Sequence, residues 1–135
     1  MKKSLLLCVI SLLLAGCWDQ RMLKDANVVS IIGMDETTEG EIELTVAVPK
    51  GSGGENQDLI AHIESATGET VRNSSNNLNE KMGKDLDASK NEFLLLGEEL
   101  VKDEIFSVLD TFYRDPSSAL NTKVAITEGK TRDFI

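Results

Sequence analysis

The sequence predicts an α+β fold, a mixed and largely antiparallel sheet with helices packed on it, preceded by a cleaved signal peptide. Three observations carry this. Ile42, Leu44, Val46 and Val48 alternate with Glu41, Glu43, Thr45 and Ala47 at period two, the spacing of a half-buried strand. Val101, Ile105, Val108, Leu109 and Phe112 instead share one helical face, with Lys102, Asp103, Glu104 and Asp110 elsewhere on the turn. Residues 1–16 follow neither pattern: Lys2 and Lys3 precede an apolar run from Leu5 to Leu14 and the small residues Ala15 and Gly16, the layout of a secretion signal. That run is too short to cross a bilayer, which needs about 20 apolar residues.

The elements follow in order. Ala26 to Met34 is rich in β-branched residues and reads as a first strand, Ile42 to Val48 as a second, and Asp35 to Gly40 supplies the turn of an antiparallel hairpin. Pro49 closes the second strand, and Gly51-Ser52-Gly53-Gly54 makes a polar loop without the lysine and helix that a phosphate cradle requires. Leu59 to Glu64 reads as a short third strand. Thr67 then serves as the expected N-cap of a helix whose narrow stripe is Val71, Leu78 and Met82. Phe93-Leu94-Leu95-Leu96, ending at Gly97, is a buried strand. The helix from about Glu98 to Tyr113 is expected to supply the largest block of the core and to stop before Pro116, because the residue preceding a proline is pushed out of the α region. Lys123 to Thr127 gives a last strand, and Gly129 to Ile135 reads as an element begun and not completed, with a frayed end or, at Phe134 and Ile135, an apolar patch available for association. The order is β-β-β-α-β-α-β.

Removal of the signal takes away Lys2 and Lys3 but no acid, so the formal charge goes from −9 to −11. Nucleic acid is thereby an unlikely partner, since its binders cluster cations to displace counterions from phosphates. An anionic leaflet would repel such a body as a whole. Cys8 leaves with the signal and Cys17 remains alone, too few thiols for a disulfide framework or a cysteine metal site. His62 is the sole histidine and reads as a surface or partly buried strand residue. The acid pairs Glu98-Glu99, Asp85-Asp87 and Asp103-Glu104 look like solvated faces, and no serine sits in a Gly-x-Ser-x-Gly elbow. No catalytic, cofactor or metal residues are expected.

Leu14-Ala15-Gly16-Cys17 resembles the lipobox of bacterial lipoproteins. The resemblance implies that the Cys17 thiolate takes a diacylglyceryl group, that a dedicated peptidase cuts before it, and that its new amino group can be acylated in turn. Residues 1–16 are then the signal peptide, 17–25 a lipidated tether and 26–135 the folded domain. A single acyl chain anchors only marginally, whereas two or more hold stably. Trp18, beside the anchor, suits either the membrane interface or packing against the domain.

Four further stretches resemble the amino-terminal domain of the Ger(x)C-type spore germination lipoproteins, the C subunits of germinant receptors. They are Cys17-Trp18-Asp19 with Arg21 and Leu23, leading to a strand that ends in Gly33-Met34-Asp35; Ser65-Ala66-Thr67-Gly68 with Thr70; Leu94 to Leu100; and Val108-Leu109-Asp110 with Phe112, Arg114, Asp115 and Pro116. Met22, Ile31 and Lys90 depart from that family's usual residues. Its members continue for well over twice this length into further domains, so the match accounts for the first domain alone.

What the resemblance implies is a non-catalytic, lipid-anchored subunit on the outer face of the inner spore membrane, working beside integral membrane subunits in the response to nutrient germinants. An extracytoplasmic solute-binding lipoprotein is the alternative, and it would require a pocket with convergent polar groups. An extracytoplasmic hydrolase is the weakest reading, for want of a nucleophile and a base.

Overall fold

A period-two segment can bury its apolar side only against another layer, and the helical stripes supply that layer. The computed structural model describes residues 26–50, 61–116 and 118–135, with only the backbone of Asp103 and Glu104. The expected signal peptide, Cys17, the tether and the loop of Gly51 to Gly54 lie outside the described residues. Along the chain come β1 (Ala26–Val28), β2 (Ile31–Glu36), β3 (Ile42–Pro49), β4 (Ala61–Gly68), α1 (Val71–Met82), β5 (Asp85–Asp87), β6 (Phe93–Gly97), α2 (Glu98–Arg114) and β7 (Lys123–Thr127), then a 3-10 turn at Thr131–Phe134.

Five strands make the main sheet in the order β4-β3-β2-β6-β7, and β1 pairs separately with β5. The fold is α+β with a mixed sheet. Its β4-β3-β2 half is antiparallel, starting from the expected hairpin, in which Ile31 faces Ala47 and Glu36 faces Ile42. The β2-β6-β7 half is parallel. That parallel share exceeds what the hairpin alone suggests, because α1 and α2 each carry the chain back before the next strand is laid down, so β6 and β7 run in the direction of β2.

Alternation along the strands sends Ile32, Met34, Ile42, Leu44, Val46, Leu94 and Leu96 to one face, where all are buried together with Val71 and Leu78 of α1 and Leu100 and Val108 of α2. Val101, Ile105, Leu109 and Phe112 are only partly buried. The expectation that α2 contributes the largest block of the core is therefore corrected: the sheet contributes most of it, and Leu100, outside the stripe read from the sequence, is with Val108 fully inside among the described side chains of α2. Two helices share one sheet face, so each covers only part of it. Phe93, at the start of its strand, is 36% exposed and lies under the Lys123 ammonium, 5.1 Å from the ring centroid.

Other boundaries also move. The first strand is interrupted at Val29 and Ser30. There the Val29 N–H donates to Asp87 O and the Ser30 N–H to Ala47 O, so the chain passes from pairing with β5 to pairing with β3. Asp85–Asp87, expected as a solvated loop, forms β5 against β1. The described part of the third strand continues through Gly68, so Thr67 is a strand residue and the N-cap is Thr70, whose Oγ1 accepts from the Asn73 N–H at 3.2 Å. Gly68 explains the shift: a Cβ there would lie 2.6 Å from the Ser74 nitrogen, so strand and helix backbones touch where the sequence suggests a turn. Ser74 is itself fully buried, donating to Ile42 O at 2.7 Å and Thr70 O at 3.0 Å. Helix α1 ends at Gly83, in left-handed conformation at φ 66°, and α2 ends before Asp115 and Pro116 as expected.

The largest correction concerns Gly129 to Ile135. Thr131 is fully buried rather than frayed. Its backbone N–H donates to both carboxyl oxygens of Asp35, at 3.2 and 3.0 Å, and its hydroxyl donates to Asp35 Oδ2 at 2.6 Å. Asp35 is 3% exposed and fits only because Gly97 on the neighbouring strand has no side chain, since a Cβ there would collide with its Oδ1. Gly33 in turn leaves room for Thr131 and Ile135 on the sheet face away from the helices. Phe134 stays 58% exposed.

Two measurements check this account. Leu100→Ala is expected to cost about 2–5 kcal/mol, and Leu109→Ala distinctly less because its side chain is only partly buried. Urea unfolding compares the two, and equal midpoints would refute the assignment of the buried face. Thr131→Val keeps the shape but removes the hydroxyl donor, leaving a buried acceptor short of a partner at about 1–3 kcal/mol. Its thermal midpoint should fall by several degrees. An unchanged midpoint would show that the Asp35 contact does not hold the last segment down.

Candidate functional site

The residue with the most definite chemistry in the sequence, Cys17, precedes the described residues, which begin at Ala26. They start with β1, beside Asp85 on β5, at the end of the sheet where β2, β4, β6 and β7 begin.

His62 sits on β4 with its side chain 42% exposed, as a surface strand residue, and its Nε2 lies 3.9 Å from Glu64 Oε2. Glu64 belongs to a closer pair: Lys81 Nζ on α1 is 2.6 Å from Glu64 Oε1 and also donates to Ser65 O at 3.0 Å. The Lys81 hydrogen bond holds the Glu64 carboxyl below its ordinary range, against a partial opposing effect of desolvation. The contact fastens the last turn of α1 to the edge strand. It brings no nucleophile with it.

The acid pair Glu98-Glu99 opens α2 on its exposed side, where Lys102 Nζ lies 3.3 Å from Glu98 and 2.9 Å from Glu99. Carboxylates at a helix N-terminus also interact favourably with the macrodipole, so these two have a structural use. Among the described residues no three His, Cys, Asp or Glu side chains are placed to hold a metal ion. No described helix is long and apolar enough to cross a membrane.

Between α1 and α2 runs a cleft of about 950 Å³ over the apolar face of the sheet. Its volume suits a small molecule. Its floor is apolar, with Met34 and Val46 each 1% exposed, and its rim is polar: Glu69, Arg72, Ser75 and Asn76 stand on the α1 side, and on the α2 side Arg114 Nε donates to Asp110 Oδ1 at 2.8 Å. A smaller recess, of about 520 Å³, lies at the opposite end from the hairpin and is lined by Asn27, Lys50, His62, Lys90 and Glu92 among others. Of these the sequence singled out His62, as the sole histidine, and Lys90, as a departure from the family's usual residue. The others come together only when the turn before β6 is folded against the end of β3.

Comparison with known proteins gives the family. The family described as "Spore germination protein N-terminal domain" matches residues 19–135. YfkR of Bacillus subtilis (strain 168), a protein named for spore germination, is 26% identical over 148 residues, covering all of this chain and 38% of the relative. The spore germination protein GerQC of Bacillus cereus is 27% identical over 135 residues, all of this chain and 37% of the relative. Spore germination protein A3 of Bacillus subtilis (strain 168) is 27% identical over 136 residues, 93% of this chain and 35% of the relative. The chain thus spans less than two fifths of the length of these relatives. No solved structure matches at the same level of significance. With the matched region taking in every described element, the chain belongs to the spore germination protein N-terminal domain family.

Proposed function

We propose that this chain is the extracytoplasmic first domain of a lipid-anchored, non-catalytic subunit of a nutrient germinant receptor, held on the outer face of the inner spore membrane beside integral membrane subunits. The observation that carries the reading is the family match across residues 19–135, with relatives named for spore germination. The lipobox Leu14-Ala15-Gly16-Cys17 supports the anchor, which supplies membrane affinity that the acidic body lacks. Among the described residues the buried polar groups Asp35, Ser74 and Thr131 hold elements together, as a scaffold requires, while Asn91 and Thr45 are buried with no partner for their side-chain polar atoms. The solute-binding alternative draws less support, since the relatives are named for spore germination.

The direct test is genetic. Spores lacking this protein should lose or greatly slow their response to at least one nutrient germinant, and the parent gene should restore it. Cys17→Ala should leave the protein unlipidated by mass and depleted from the membrane fraction, with the response impaired to match. A normal germination rate against a full panel of amino acids and sugars would refute the receptor reading. A Cys17→Ala protein retained in the membrane would refute the anchor.

A further inference from the structure

The two edges of the five-stranded sheet are finished differently. An edge strand leaves a row of backbone N–H and C=O groups unpaired, and a charge turned onto the packed face is one device that keeps other chains from adding to it. β4 has that device: Glu64, opposite Val46 and so on the helix side, is paired there with Lys81 at 2.6 Å. β7 does not. Val124 and Ile126 lie opposite Leu94 and Leu96, hence on the same helix side, and are 47% and 59% exposed. Between Lys123 and Glu128 the strand carries no charge, proline or glycine.

The uncovered area extends onto α2, which packs over β2 and β6 more than over β7. Leu109 and Tyr113 of α2 form a shallow recess with Leu120 and Val124, and Phe106, two turns before Tyr113, falls on the same flank. Phe106, Tyr113, Leu120, Val124 and Ile126, all exposed, thus adjoin on one side of the molecule. Together they present on the order of 600 Å² of side chain, the size of patch that marks an interaction surface. With the backbone edge added, this approaches the roughly 800 Å² per partner of a stable interface.

The backbone of β7 selects the occupant. The Lys123 N–H donates to Glu92 O, so in the parallel ladder Lys123, Ala125 and Thr127 turn their backbone groups to β6 while Val124 and Ile126 turn theirs outward. Two donors and two acceptors are therefore open to a new strand. A second β7, antiparallel about a twofold axis at Ala125, meets all four: Val124 of each copy exchanges both hydrogen bonds with Ile126 of the other. An axis at Val124 or at Ile126 would leave half of these groups unpaired. The register at Ala125 also sets Val124 against Ile126 on the helix side, keeps both apolar flanks on one face of a continuous sheet, and brings Lys123 of each copy beside Glu128 of the other.

We propose that β7 and the adjoining flank of α2 are a self-association surface, on which a second copy of this chain adds antiparallel at β7 with its twofold axis at Ala125. The acidic bodies extend away from that axis on either side, and screening limits their repulsion to about 8 Å.

Disulfide trapping in membranes carrying the full chain tests it. Ala125→Cys places two thiols at the axis, where facing Cα atoms approach to about 4.5 Å, within the range a disulfide spans. Glu39→Cys places them at the exposed hairpin tip instead. Oxidation with copper phenanthroline should trap Ala125→Cys as a dimer and leave Glu39→Cys monomeric. The tryptic fragment holding the bond identifies position 125, so the result does not depend on what Cys17 carries. Val124→Lys or Ile126→Glu, added singly to Ala125→Cys, should weaken association about tenfold, read as the protein density needed for half-maximal trapping. Combined in one chain they set lysine against glutamate in both cross-strand pairs and should restore it. Thermal midpoints of the variants establish that each is folded. Equal trapping at the two cysteine positions, or a folded double variant no better than the single ones, would overturn the proposal. So would an Ala125→Cys chain that stays monomeric; a thiol that then also resists alkylation would show that another polypeptide segment covers the strand.

Discussion

Packing at the finishing end of the sheet depends on one buried carboxyl group. Asp35 lies near the end of β2, the central strand of the five, and its three hydrogen bonds all come from Thr131, nearly a hundred residues later. An unpartnered carboxyl in that position would be strongly unfavourable. Partnered, it ties the 3-10 turn across the face that the helices leave open. The constraint propagates to its neighbours: β6 must carry glycine at position 97 to admit Asp35, and β2 must carry glycine at position 33 to admit Thr131. Both glycines lie in strands, where they would otherwise weaken the sheet. They are tolerated because the space they leave is filled by a hydrogen-bonded contact.

How far the fold was legible in the sequence follows from whether local chemistry or distant packing decides each element. The alternation of Ile42 to Val48 and the stripe around Val108 are local signals, and the hairpin and α2 appear where those signals put them. Thr67 and Thr70 are chemically equivalent as caps. The choice between them is made by Gly68, which lets β4 run on against the backbone of α1. Ser74 reads as a polar interruption of a weak stripe, yet it is inside, because Ile42 O and Thr70 O are both within reach of its hydroxyl. β5 is three residues with an acid at each end, and pairing with β1 defines it. Thr131 could not have been placed from its neighbours, since its partner is Asp35. At the functional level the expectation for Cys17 rests on a contiguous box, whereas the Lys50, His62 and Lys90 grouping required three chain segments to be brought together by the sheet.

Overall composition is a poor guide to where the charge of such a domain lies. A net charge of −9 describes the molecule as a whole. Screening limits each interaction to about 8 Å, so what a charged partner senses is the nearest end of the sheet and not the sum. Topology determines which residues form that end. Because four strands run in parallel directions against one, the loops after them fall together, and the acids of those loops fall with them. A sheet of strict up-and-down order would have spread the same charges over both ends.

The four stretches by which the sequence resembles its family can be asked what they do in the fold, and within the described residues the answer is packing. Gly33 and Asp35 form the contact with Thr131; Gly68 receives the backbone of α1; Leu94, Leu96 and Leu100 are core, with Gly97 making room for Asp35; Val108 is fully buried and Pro116 ends α2. Not all of that packing is internal: Thr70, Asp110, Phe112, Arg114, Asp115 and Pro116 border the cleft between α1 and α2, where Arg114 Nε donates to Asp110 Oδ1. The recognisable pattern is thus divided between contacts that fix the sheet to its helices and the rim of the opening between those helices.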